Sequence, residues 1–297
     1  METRRILILL LLLTAMIIAG SLIYSASNSK QSINEDKIGV IVSIAPQAEF
    51  VEKIGGDNVK VTVMVPPGAN PHTYEPLPAQ LSNVSQAELY VQVGSGIEFE
   101  NVWMGKISNL NKKMAILNSS RGIEFIKSTE YDEDNEYDTH VWVSPRNAEI
   151  MVESIYQSLV QIDPANKEYY EANKNKYLQE LEESDENITK ALAGNENKKI
   201  LVYHPAWGYF CRDYGLTQIS IEKKGKEPTP QGIANVIDQA KKENIKIVFV
   251  SPQYSRKNAD AIASEIGGQV IIIDDLDKNY INNLKEVSRS FKNALNT

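Results

Sequence analysis

The sequence predicts an α/β fold of two lobes, each with a mostly parallel sheet, joined by one long rigid helix. Three observations lead there. Short apolar runs alternate with longer amphipathic ones, the pattern of strands and crossover helices. The alternation occurs twice, over residues 38–165 and again over residues 196–297. Between the two, residues 166–193 contain neither Pro nor Gly, and apolar side chains recur at Tyr170, Tyr177, Leu181, Ile188 and Leu192. Those spacings of seven and four lie on one helical stripe, with Glu and Lys elsewhere. Such a helix would extend roughly 40 Å at 1.5 Å per residue, too long for a crossover, so segment 166–195 reads as a spine between lobes.

The elements follow in chain order. Arg4 and Arg5 precede an uninterrupted apolar run over residues 6–23. A charged start before such a run is an export signal, long enough also to serve as an anchor. Segment 1–27 is therefore a signal peptide or a membrane anchor, and the positive-inside rule sends the remainder out of the cytoplasm. Residues 28–37 are polar and read as a tether. In the first lobe, strands are expected at 38–43, 59–65, 89–93 and 115–117. Helices are expected at 47–54, 79–86, 99–110 and from Pro145 to about residue 162. In the second lobe, strands are expected at 199–203, 218–221, 247–250 and 270–273, with helices at 207–214, 230–243, 258–266 and 279–296. Thr229-Pro230 suits an N-cap followed by proline in the first helical position.

Composition narrows the function. The 297 residues carry 31 basic and 39 acidic side chains, a net charge of −8. An acidic chain with no basic block excludes nucleic acid as the partner. A single cysteine, Cys211, excludes a disulfide framework and any multi-cysteine metal site. Gly94-Ser95-Gly96 lacks the third glycine of a dinucleotide cradle. The chain holds three histidines, His72, His140 and His204, and all three fall at element junctions.

Open parallel sheets bind ligands beyond the carboxyl ends of their strands. His72 lies in the loop PPGANPHTYEP after the strand 59–65, and His204 directly follows KILVY. Asp274 directly follows VIII, and His140 sits in THVWVSP ahead of the helix at Pro145. Two facing crevices would bring the four together. Imidazole is the commonest biological metal ligand, and Zn²⁺ accepts nitrogen and oxygen donors tetrahedrally. Three imidazoles and one carboxylate complete that sphere. No HxxxH or HExxH helix is present, so spacing alone leaves satisfied structural histidines as the other reading.

The segments PHTYEP, DTHVWVSP and YHPAWGYFCRDYGL resemble the histidine segments of the metal-specific solute-binding proteins of zinc and manganese ABC importers. QVGSGIEFENVW, IDPANKEYYEANKNKYLQEL and KEPTPQGI resemble further segments of that family in the same order. The resemblance covers nearly the whole exported part. It implies a metal held between two lobes by His72, His140, His204 and Asp274, and delivery to an ABC permease by a monomeric receptor. Asp275 stands where the family commonly has proline, so IIIDDLD offers two adjacent carboxylates at one strand end. Ser251 stands where the family often has glutamate, and the chain has no cysteine after the apolar run for lipid attachment.

An imidazole-rich donor set favours Zn²⁺ over Mn²⁺ or Fe²⁺, which suit harder ligands. A site filled by four protein ligands leaves no position for an activated water, which favours capture over catalysis. The expected function is an extracytoplasmic zinc receptor, periplasmic or on the outer face of the membrane. The competing readings are an exported zinc hydrolase, a manganese or iron receptor, and a surface adhesin. The acidic stretch EYDEDNEYD before His140 reads as a solvated turn or a weak cation collector.

Overall fold

The computed structural model describes residues 37–128, 136–222 and 227–296. The apolar amino terminus, the tether up to residue 36 and most of the acidic stretch before His140 lie outside the described residues. Residues 38–297 form one compact unit, and no helix among the described residues is long and apolar enough to cross a membrane.

The first lobe runs β1 (Ile38–Ile44), α1 (Ala45–Gly55), β2 (Val59–Val65), α2 (Pro78–Val84), β3 (Leu89–Gln92), α3 (Glu98–Leu110), β4 (Ala115–Asn118) and α4 (Pro145–Ile162). The spine α5 (Lys167–Leu192) follows. The second lobe runs β5 (Lys199–Val202), α6 (Gly208–Tyr214), β6 (Thr217–Ser220), α7 (Pro230–Lys242), β7 (Ile247–Val250), α8 (Arg256–Glu265), β8 (Gln269–Ile272) and α9 (Tyr280–Leu295). The strands form two four-stranded sheets, β2-β1-β3-β4 and β6-β5-β7-β8. Every pairing is parallel, with Val40 opposite Val61 in one sheet and Leu201 opposite Val248 in the other. The two-lobed α/β expectation is met.

Local sequence explains the boundaries. The central strand β7 is buried at every position (IVFV), while the edge strands β4 and β8 leave Ile116 and Ile272 exposed. This is the contrast that helices on both faces of a sheet produce. Helix α4 starts where the Ser144 side chain accepts the Asn147 amide and Pro145 opens the first turn. Helix α7 starts the same way, on Thr229 and Pro230.

Helix α5 has 26 residues. It buries Tyr170, Tyr177, Leu181, Ile188 and Leu192, the stripe its spacing predicts, with Ser184 between them. It packs on α1 and α4 of the first lobe and on α9 of the second. Its hydrophobic cluster therefore extends without a break from Val40 to Phe291. Polar bonds reinforce the join. Glu49 of α1 accepts the Tyr177 hydroxyl at 2.8 Å and the Tyr280 amide at 2.7 Å. The Trp142 indole donates to the Asp275 carbonyl at 2.7 Å, and the Tyr280 hydroxyl donates to the Trp142 carbonyl at 2.7 Å. The last two bonds lie directly beneath the histidine loops and set how the lobes meet there.

Candidate metal centre

Three loops carry the histidines to one point. His72 stands in the loop after β2, where its amide donates to the Asn70 side chain at 2.8 Å. Gln80 of α2 holds the flank of that loop, donating to the Val63 and Met64 carbonyls and accepting the Tyr74 hydroxyl. His140 precedes the short turn Val141–Val143, and its amide donates to Asp138 Oδ1 at 2.9 Å. His204 follows β5 and stacks its ring on Tyr254, with centroids 4.6 Å apart and planes 18° from parallel.

The loop after β3 closes one side. Buried Glu100 accepts the amides of Val93 and Gly94 at 2.6 and 2.9 Å. Gly94 has φ +77°, and a Cβ there would sit 2.0 Å from the Asn118 side chain, so this turn requires glycine. The Ser95 hydroxyl donates to the Thr139 carbonyl, tying the turn to the segment that bears His140. Glu98, the first residue of α3, is delivered beside His72 as a result.

The Nε2 atoms of the three rings face one another. His140 and His204 approach to 3.0 Å, and His72 and His204 to 3.4 Å. One ligand nitrogen from each lies within 4.8 Å of the others. The cavity among them, also lined by Glu98, Gln253, Tyr254 and Asp275, has a volume of about 10 Å³. That is room for one ion or one water; an organic substrate does not fit. Each Nδ1 faces a carboxylate oxygen: Glu98 at 2.8 Å from His72, Asp138 at 2.8 Å from His140 and Glu222 at 2.7 Å from His204. His140 and His204 are buried, whereas His72 is half-buried with Glu98 beside it at the mouth.

Electrostatics divide the rings. Burial opposes charge on His140, but the hydrogen bond and charge of Asp138, with Asp275 and Glu98, hold its pKa above the ordinary value. Burial, with the charges of His140 and His72, pushes His204 well below it. Burial also disfavours charge on Glu98, yet the adjacent His72 brings its pKa below the usual carboxylate value.

The structure brings His72, His140 and His204 together but does not bring Asp274 to them. The Asp274 carboxylate folds back on its own turn, accepting the Leu276 amide and the Gln253 side chain, each at 2.9 Å. Burial raises its pKa. An aspartate that accepts the amide two residues on is serving as a turn residue, and that geometry turns the next carboxylate inward. Asp275 lines the cavity and accepts the Ser251 hydroxyl at 2.8 Å. Glu98, Asp138 and Glu222 also lie outside the sequence-derived set. Glu98 ends the Gly-x-Gly-x-Glu segment and Asp138 stands two residues before His140, whereas nothing local marks Glu222. Cys211 is buried, with its thiol pKa pushed up by burial, and Trp142 and Trp207 are core residues.

Comparison with known proteins places the chain in a family. The family described as "Zinc-uptake complex component A periplasmic" matches residues 40–294. The high-affinity zinc uptake system protein ZnuA of Bacillus subtilis is 29% identical over 270 residues, covering 85% of this chain and 83% of that protein. The zinc-binding protein AdcA of Streptococcus pyogenes is 27% identical, with 90% of this chain spanning 56% of AdcA. A crystal structure of ZnuA superposes with a TM-score of 0.82 at 41% identity, covering 88% of this chain and all of that one. Such relatives are solute-binding receptors, not enzymes. This chain belongs to the family of the periplasmic component A of zinc-uptake complexes.

Proposed function

We propose that this chain is an extracytoplasmic receptor that captures Zn²⁺ on the Nε2 atoms of His72, His140 and His204 and delivers it to an ABC permease. The observation that carries this reading is the convergence of three imidazole nitrogens within 4.8 Å around a space sized for one ion. Facing Nε2 lone pairs this close repel, and a cation among them removes the repulsion. A nitrogen-rich set prefers Zn²⁺ to Mn²⁺ or Fe²⁺. The names ZnuA and AdcA among the relatives support zinc as the cargo. Segment 1–27 serves as export signal or anchor, so the metal is met outside the cytoplasm.

Asp275 is the carboxylate that serves the cation, in place of Asp274. Isothermal titration with Zn²⁺ separates the two. Asp275→Ala should weaken binding about tenfold or more, by removing a negative charge from the cavity wall. Asp274→Ala should leave the affinity within about threefold, because its carboxylate acts on the turn. The reverse ranking would restore Asp274 as the ligand.

Affinity should also depend on pH with a defined sign. Zinc takes neutral imidazole, so each proton bound to a free ring competes with it. The His140 pKa is raised, so that ring takes a proton above the ordinary histidine value, and competition begins there as pH falls. The pKa of His204 is lowered, so that ring stays neutral over the same range. Binding should be fully developed in mildly alkaline solution and weaken by about one decade per pH unit once His140 is protonated. A constant Kd between pH 5 and pH 8 would contradict this.

A further inference from the structure

The three carboxylates facing the Nδ1 atoms come from unrelated parts of the chain. Glu98 begins α3, Asp138 lies in the segment before His140, and Glu222 follows β6. All three nonetheless approach their imidazole at 2.7–2.8 Å, and for Asp138 and Glu222 the contact is a hydrogen bond, whereas Glu98 Oε2 accepts none. A neutral imidazole has one N–H and one lone pair, and an ionised carboxylate can only accept. A carboxylate hydrogen-bonded to Nδ1, as at His140 and His204, therefore calls for the proton on Nδ1 and leaves the lone pair on Nε2, the atom that faces the other rings.

We propose that Asp138 and Glu222 are positioning residues that fix His140 and His204 in the Nδ1–H tautomer, so that each presents its Nε2 lone pair to the cation. This deepens the receptor reading and rests on it for the identity of the cation. The preorganisation has a physical benefit. A ring free to carry its proton on Nε2 would have to change tautomer or turn over before binding, and that cost would reduce affinity. Partners of this kind are worth about 10- to 100-fold in metal affinity. The three pairs differ in burial. Asp138 and Glu222 are buried with their histidines, whereas Glu98 and His72 are partly open to solvent, so the Glu98 pair should contribute least.

Asp138 shows how far the arrangement extends. Its Oδ1 accepts both the amide and Nδ1 of His140. Its Oδ2 rests against Gly208 of the second lobe, where an added Cβ would lie 2.2 Å away. The missing side chain at Gly208 is what lets this carboxylate sit beneath His140. Gly208→Ala should therefore disturb His140 through Asp138 without altering a histidine or a carboxylate.

The test reads the tautomers directly. In metal-free protein with ¹⁵N-labelled histidines, long-range ¹H–¹⁵N correlation at pH 8 should find the His140 and His204 rings protonated at Nδ1. Asp138→Asn and Glu222→Gln replace a pure acceptor with an amide that can also donate. Each should let its own ring populate both tautomers, and Gly208→Ala should do so for His140 alone. Competition with a chromophoric chelator should show Zn²⁺ binding weakened roughly 10- to 100-fold by Asp138→Asn or Glu222→Gln, and less by Glu98→Gln. Protonation at Nε2 of His140 or His204 in the unsubstituted protein would overturn the inference. So would a Zn²⁺ Kd within twofold of the parent for both Asp138→Asn and Glu222→Gln, each folded by circular dichroism. A protein that takes up no zinc would sink the receptor reading and leave the tautomers to decide this inference alone.

Discussion

Replacing His204 by alanine should weaken Zn²⁺ binding about 100- to 1,000-fold, the largest single-site effect expected here. Full structural zinc sites are worth about 10–16 kcal/mol, so one of four ligands carries roughly 3–4 kcal/mol. Each 1.4 kcal/mol is about a factor of ten. His204 is the most consequential of the three because its Nε2 is the close neighbour of both others, at 3.0 Å from His140 and 3.4 Å from His72. It is also the one histidine on the second lobe, so its loss leaves that lobe with Asp275 alone beside the ion. Competition titration with a chelator of known affinity measures the effect. His72→Ala, at the more exposed ring, should cost less than His204→Ala. Equal Zn²⁺ affinity in His204→Ala and the parent would remove the metal centre from the account.

Saturating zinc should raise the melting temperature of the protein by about 8–16 °C, and chelation should reverse the gain. A ligand that binds only the folded state at 1,000 times its Kd contributes about 4 kcal/mol. In chains of about 150–250 residues each kcal/mol shifts Tm by roughly 2–4 °C. The shift should be large because the ion joins residues far apart in sequence. His72 and His140 belong to the first lobe and His204 to the second, and they converge above the Trp142–Asp275 and Tyr280–Trp142 hydrogen bonds that hold the lobes together. Differential scanning calorimetry with zinc, then with excess chelator, makes the measurement. The His204→Ala variant serves as the control and, at the same zinc concentration, should gain only about 0.4–1.4 kcal/mol, a shift of about 1–6 °C. A gain below about 2 °C in the parent at saturation would indicate an ion bound loosely at the surface.

Much of the fold was legible from residues 38 onward. Strand β7 reads as a continuous apolar run because both its faces are covered, and α5 reads as a helix because its buried residues recur every seven and four positions. Those signals are local, produced by periods of two and 3.6 residues that any window of sequence displays. The histidines were legible for a related reason. They follow strand ends or precede a capped helix, the places where an α/β sheet presents its ligands. The choice of carboxylate was not legible. Asp274 and Asp275 are neighbours of the same type, and their roles separate only when the turn after β8 gives the Leu276 amide to Asp274.

Taken alone, the sequence determined the strands of the two sheets, the spine helix and the placing of the three histidines at element junctions, because each depends on residues close together along the chain. Tertiary structure decided that Asp275 rather than Asp274 lines the cavity, and that Glu98, Asp138 and Glu222 each back a histidine. Glu222 lies 18 residues from His204 and Glu98 lies 26 from His72, so no local pattern pairs them. Their meeting is set by how two sheets pack on one helix through a shared core. The physical reason is one of range. Backbone periodicity acts over a few residues, whereas the direction of a buried hydrogen bond is fixed only after distant segments have closed around it.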